Sequence, residues 1–206
     1  MVLSGLKLDY DWKRHDKPGI IVADIAGGVG TVLNLILQSM PNARGILFDQ
    51  PSVIAQAKES PLWGPNVTDR VSYVGGDMFK SVPEADLYIL RWIIHDWDDE
   101  RSIQILKVLS IGCLCECLLH KTIRASMKPT SRLLILEEPL PDEGNPMPTS
   151  AIISPSFMDI LMMLVASGKH RTMAQYNELF QASDLKLQRI DYVRPSMGIL
   201  EIVPSS

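Results

Sequence analysis

The residues able to do chemistry are a turn of small residues, a set of carboxylates beyond apolar runs, and a histidine. The turn is VADIAGGVG, Val22 to Gly30, an apolar run that ends in small side chains. Small residues let a backbone approach a bulky ligand, and the freed amide groups can hydrogen-bond its polar end. Asp49 ends the following apolar run, RGILFD, and Asp77 stands after the next one, in VGGDMF. A carboxylate at the first place can accept bonds from both hydroxyls of a ribose. One at the second can accept from an adenine amino group while Met78 lies against the ring. Together the two acids suit an adenosine better than either does alone. Farther along, ADLYILRW leads into IIHDWDDE and brings His95, the side-chain type that changes charge near neutral pH.

Spacing sharpens the choice of ligand. Asp24, Ala26, Gly28 and Gly30 stand at every second position, the D-x-G-x-G-x-G pattern of S-adenosylmethionine enzymes with alanine at the first glycine. The dinucleotide fingerprint G-x-G-x-x-G, started at Gly28, would need a glycine where Leu33 stands. A nicotinamide oxidoreductase is therefore weakened but stays open, as does a tight turn with no ligand.

These residues need elements to position them. GIIVADI is a short β-branched run and predicts a buried parallel strand; TVLNLILQSM has helical spacing and stops at Pro41. The alternation continues with strand RGILFD, helix PSVIAQAKES opened by Pro51, and strands RVSYVGGD and ADLYILRW. A helix from about Asp99 to Ser110, a strand RLLILEE, helices near Phe157 to Val165 and Met173 to Ser183, and two closing strands, LKLQRIDYV and GILEIVP, complete the set. Repeated βα units imply one α/β domain, a mostly parallel twisted sheet with helices on both faces, and the closing strands should pair antiparallel at one edge.

Composition narrows the function class. The 206 residues carry a formal net charge of −4, and Lys and Arg are scattered, so nucleic acid is not expected as a partner. No apolar run approaches the ~20 residues of a membrane helix, and the first residues hold no signal-peptide core, which predicts a cytoplasmic protein without a membrane partner. Cys113, Cys115 and Cys117 share one short segment and are odd in number, unlike a secreted disulfide framework. Their C-x-C-x-C spacing, with His120 nearby, also fits poorly to the C-x₂₋₄-C pairs of zinc sites, so no metal is expected.

DIAGGVG, FDQPSVI, VGGDMFKSVPEADLYILRWIIHDWDDE, RLLILEE and GKHRT, in this order, resemble the S-adenosylmethionine-dependent O-methyltransferases of the caffeic acid, flavonoid and acetylserotonin type. The likeness runs from roughly Tyr10 to Pro204 and implies their Rossmann-like methyltransferase fold. It implies S-adenosylmethionine as cofactor, S-adenosylhomocysteine as product, and a small aromatic hydroxyl as acceptor. It puts the cofactor against Asp24, Ala26, Gly27, Gly28, Gly30, Asp49, Asp77, Met78 and Arg91, where lysine is common. It makes His95 the general base, Glu137 the first of two glutamates that flank it, and Asp96, Met158 and Met162 acceptor contacts. The chemistry suits these types: a phenol with pKa about 10 is mostly neutral at pH 7, and a histidine near 6.5 can take its proton as bonding develops. A carboxylate on the other imidazole nitrogen fixes the tautomer and stabilises the imidazolium.

Several departures from that pattern are visible. His170 stands where the family's G-K-E-R-T block has its second glutamate, so Glu137 is expected to support His95 alone. The family's amino-terminal dimerisation domain is expected to be missing from these residues. Residues 1–18 are expected to be a linker or remnant of it, 19–206 the catalytic domain with an atypical insert at 111–121, and a full-length form a homodimer. Helices that such a domain would cover should carry an apolar patch. A non-catalytic cofactor-binding remnant is the alternative function.

Overall fold

The computed structural model describes residues 10–59, 63–64, 66–111, 127–140, 168–193 and 197–205. The expected βα alternation is present. Strand β1 (Ile21–Ile25) leads to helix α1 (Thr31–Ser39), β2 (Arg44–Asp49) to α2 (Pro51–Glu59), then β3 (Val71–Gly75) and β4 (Ala85–Arg91). Helix α3 (Asp99–Ile111), β5 (Met127–Glu137), α4 (Met173–Gln181), β6 (Leu185–Tyr192) and β7 (Gly198–Pro204) follow.

The seven strands form one sheet in the order β3-β2-β1-β4-β5-β7-β6. Pairing is parallel from β3 to β5. The closing strands pair antiparallel as expected, and β7 also lies antiparallel to β5, so it sits inside the sheet and β6 takes the edge. Successive side chains point to opposite faces of a strand, which divides the core in two. Leu87 and Ile89 of β4 join Val22, Leu47 and Leu134 against α1 and α2. Tyr88 and Leu90 join Ala23, Ile25 and Ile135 against α3 and α4. Helices thus cover both faces, which is why the central strands read as continuous apolar runs.

Element ends depart modestly from the expectations. β5 begins at Met127, before the expected RLLILEE, although the added stretch contains Pro129. The irregular register between Ala85 and Leu87 accommodates it, and the Ser131 hydroxyl donates to the Ala85 carbonyl and accepts from the Lys128 amide. α4 stops at Gln181, two residues before Ser183, and Asp184 turns the chain with φ +54°. Within the segment expected as a linker, Tyr10 and Trp12 are buried in the core.

Among the described residues the exposed large apolar side chains are Val29, Trp92 and Tyr192, none of them on a helix, so the expected helical patch has no support there. Also among the described residues, no helix is long and apolar enough to cross a membrane, and no cluster of His, Cys, Asp or Glu is disposed to hold a metal ion. The helix near Phe157 to Val165 with Met158 and Met162, the cysteine segment with His120, and the insert beyond Ile111 lie outside the described residues.

Candidate active site

The sheet winds one way from β1 to β3 and the other way from β4 to β5, so the crevice between the carboxyl ends of β1 and β4 is the switch point where α/β sheets bind ligands. The turn Ala26–Gly30 follows β1, Asp49 ends β2, Asp77 follows β3, Arg91 ends β4, and Glu137 ends β5. His95 lies in a single 3-10 turn, Ile94–Asp96, just beyond β4. Those of the predicted residues that are described therefore lie along one edge.

Backbone conformation shapes the first turn. Ala26, Gly28 and Gly30 have φ of +54°, +60° and +88°, the left-handed region at every second residue. Such alternation turns backbone N–H groups toward a concavity suited to negative or polar atoms. That is the physical content of the every-second-residue spacing, and Ala26 meets it at a cost of roughly 1–2 kcal/mol. At Gly27 the constraint is space: a Cβ would fall 2.6 Å from the Asp24 carboxyl and 2.7 Å from Leu47. Gly30 then caps α1, whose amino terminus points its unpaired N–H groups at the same place.

Asp24 lies beneath this turn, 1% exposed, with Oδ2 lacking a hydrogen-bond partner. Burial raises its pKa to about 7, against the pull of the Leu33 amide and Arg91 and with a further push from Asp49. Asp49 is tied to the turn: Gly28 N–H donates to Oδ2 at 2.8 Å and Gln50 N–H to Oδ1 at 2.7 Å. Each carboxylate oxygen keeps a further acceptor site. Asp77 is exposed, accepts from the Phe79 amide at 3.0 Å and faces Lys80 at 3.4 Å, while Met78 packs against the core. The Arg91 guanidinium lies 4.1 Å from the ring centre of Trp92, which is left-handed at φ +54° and 39% exposed.

Buried charge shapes the second turn. Glu137, 1% exposed, accepts through Oε1 from the amides of Ile93 and Ile94, both at 3.1 Å, and of His95 at 3.4 Å. Its Oε2 accepts from His95 Nδ1 at 2.7 Å. Proton on Nδ1 leaves the lone pair of Nε2 as the basic site. Burial alone would lower the His95 pKa; the Glu137 hydrogen bond and charge, with Asp96 and Glu138, raise it above its ordinary value.

Two expectations change here. Asp96, expected as an acceptor contact, stands with Oδ1 3.3 Å from His95 Nε2. Glu137 is therefore not the only carboxylate on the imidazole, because a protonated Nε2 would meet Asp96. His170 lies parallel to His95, ring centres 5.5 Å apart and planes 3° apart, and its Nδ1 donates to the Glu138 carbonyl at 3.2 Å. It stacks on the His95 ring without offering it a carboxylate.

Sequence reasoning missed Arg171, Gly168 and Trp92. Arg171 is fully buried and donates to carbonyls of the His95 turn, yet only its place in GKHRT before the Thr172 helix cap could have drawn attention to it. Away from this edge, at the amino ends of β1 and β4, a cavity of about 780 Å³ is lined by Arg14, Lys17, Asp86, Arg132, Arg189 and Glu201. Its arginines already face Asp191 and Glu201.

Comparison with known proteins places this geometry in context. Residues 17–185 match the family described as the O-methyltransferase domain. The chain is 39% identical over 184 residues to a phenazine O-methyltransferase of Lysobacter antibioticus, covering 89% of this chain and 48% of that protein. It is 32% identical over 177 residues to a mitomycin biosynthesis 6-O-methyltransferase of Streptomyces lavendulae, covering 85% and 44%. The solved structure of a methyltransferase of calicheamicin biosynthesis, in its SAH-bound form, superposes with a TM-score of 0.73 at 32% identity, covering 98% of this chain and 54% of that one. The chain thus spans about half the length of the curated relatives it matches.

Proposed function

The chain belongs to the O-methyltransferase domain family, and from that premise we propose that it binds S-adenosylmethionine at the β1–β4 crevice and methylates the hydroxyl of a small aromatic molecule, with His95 as general base. The cofactor, when bound, supplies a methyl group on a sulfonium. The residues present suit it: the turn at Ala26, Gly27, Gly28 and Gly30 offers an approachable backbone, with nothing within 4 Å of where a Cβ at Gly28 would stand. Asp24 holds the turn from below; Asp49, Asp77, Met78 and Arg91 are assigned to the adenosine and its polar end.

The observation that carries the proposal is the imidazole between two carboxylates. Glu137 holds Nδ1–H, so Nε2 takes the acceptor's proton, and Asp96 at 3.3 Å stabilises the imidazolium that results. An oxygen freed of its proton is then aligned for in-line displacement by its position in the crevice. Met158 and Met162 are assigned to the acceptor pocket, with residues 19–206 as the catalytic domain, homodimerisation in a full-length form and a cytoplasmic location.

The experiment is to incubate the chain with methyl-labelled S-adenosylmethionine and a panel of phenols while measuring cofactor binding by calorimetry. Transfer to at least one phenol supports the proposal. Cofactor binding with no transfer favours a cofactor-binding remnant, to which the replacement of the second glutamate by His170 points. Failure to bind the cofactor defeats both.

A further inference from the structure

The turn that carries His95 is held at both ends by buried charges of opposite sign. At its start, the Glu137 carboxylate gathers the amides of Ile93, Ile94 and His95. At its end, Arg171, 0% exposed, donates from Nη1 to the Ile94 carbonyl at 2.9 Å and from Nη2 to the Trp97 carbonyl at 2.8 Å. Its Nε donates to Asp99 Oδ1 at 2.9 Å, and Lys169 pairs with the other oxygen of Asp99 at 2.6 Å. Asp99 opens α3, so the guanidinium is fixed by an element independent of the turn it grips. An anion at the amide end of a helical turn and a cation at its carbonyl end is the arrangement that the turn's dipole favours.

The segment before Arg171 presses on the same turn. A Cβ at Gly168 would fall on the His95 carbonyl oxygen and 2.9 Å from Asp96 Cα, and His170 stacks on the His95 ring. We propose that Arg171 is a positioning residue for His95: its planar fork holds the carbonyl end of the turn so that Nδ1 stays on Glu137 and Nε2 faces the crevice. A lysine has one point of charge where the guanidinium has a rigid fork, and it cannot hold two carbonyls and Asp99 in one geometry. The role rests on His95 being the base, but its structural content does not.

The test uses the full chain with its histidine rings isotopically labelled and reads the His95 resonances by NMR. Groups facing His95 are Glu137, Asp96, Glu138 and His170, so Arg171 is changed while these stay. In Arg171→Lys the His95 titration midpoint should fall by on the order of 1 pH unit, and the Nδ1–H signal should broaden as its bond to Glu137 loosens. Asp99→Asn, which removes the carboxylate charge opposite Nε but keeps an acceptor oxygen and the buried cation, should produce the same change to a smaller degree. Glu100→Gln removes a neighbouring exposed carboxylate without touching Arg171 and should leave the His95 signals unmoved. Cofactor affinity should stay within about 2-fold in all three, while kcat on an accepted phenol falls about 10- to 100-fold in Arg171→Lys, the cost of a misplaced catalytic group. Unchanged His95 titration and Nδ1–H signal in Arg171→Lys would overturn the proposal. If that variant fails to fold, Asp99→Asn decides: His95 signals that do not move, or that move no more than in Glu100→Gln, overturn it. Should no phenol be methylated by the parent chain, the methyltransferase reading fails on its own and the NMR arm still decides this one.

Discussion

The two turns at the carboxyl edge of the sheet are neighbours built on different physics. Ala26–Gly30 gets its shape from backbone conformation, with positive φ at every second residue and no room for a side chain at Gly27. Ile94–Asp96 gets its shape from charge, gripped by Glu137 at one end and Arg171 at the other. A turn shaped by its backbone offers a surface on which a ligand can be laid. A turn shaped by buried charges fixes one side chain and tunes its basicity. The first should therefore fail by steric substitution and the second by loss of a charge, with separable effects on binding and on proton transfer.

The largest expected effect is on the charged turn. In Glu137→Gln the amide oxygen can still accept from the backbone, but its NH₂ faces Nδ1 and drives the proton to Nε2, removing the lone pair proposed to act as base. Methyl transfer should fall by about 10² to 10⁴, and His95→Ala should fall as far, with cofactor affinity nearly unchanged in both. Calorimetry showing that either substitution abolishes cofactor binding would break the separation between the turns.

Next is a pH effect beneath the backbone turn. Asp24 is raised from 3.8 to about 7 on folding, so the folded chain holds this proton more tightly than the unfolded one. The stabilisation is complete below the unfolded value and is lost as pH rises toward about 7, at about 1.4 kcal/mol per pH unit and on the order of 4 kcal/mol in all. Denaturant unfolding between pH 4 and 8 should show this decline in the parent and a flatter profile in Asp24→Asn. Equal slopes would remove Asp24 from the account. His95 is also raised on folding, so its contribution is full below 6.5 and fades as pH passes its folded value, and His95→Ala isolates it.

Smaller effects belong to the turn itself. Gly27→Ala should destabilise by roughly 1–3 kcal/mol, as overpacking does, and weaken S-adenosylmethionine binding in the same calorimetric assay. Ala26→Gly relieves a left-handed alanine but frees the unfolded chain, so melting should move by the equivalent of about 1 kcal/mol or less. A large loss of binding in Ala26→Gly would mean that the alanine methyl, not the backbone, shapes the site.

Much of this is legible in the sequence. Apolar runs in period announced the strands, Pro51 and Pro41 marked a helix start and stop, and the every-second spacing of Asp24, Ala26, Gly28 and Gly30 pointed to the turn. These signals are local: strand, turn and helix each depend on residues a few positions apart, so residue types in order suffice to find them. The family resemblance paired His95 with Glu137, and the structure joins them at 2.7 Å.

What the order of residues could not decide is which distant groups would share a buried space. That β7 enters the sheet between β5 and β6 follows from pairing across the fold, not from either strand alone. Asp96 was expected to contact the acceptor, and only the 3-10 turn decides that its carboxylate also stands beside His95 Nε2. His170 looked like the loss of a carboxylate, and the fold makes it a ring stacked on His95. Arg171 looked like any arginine before a helix, because its burial and its grip on Ile94 and Trp97 exist only once α3, α4 and the end of β4 have packed together. Charge in a dry interior is strong because water is absent, and which residues lose their water is a property of the packed chain alone.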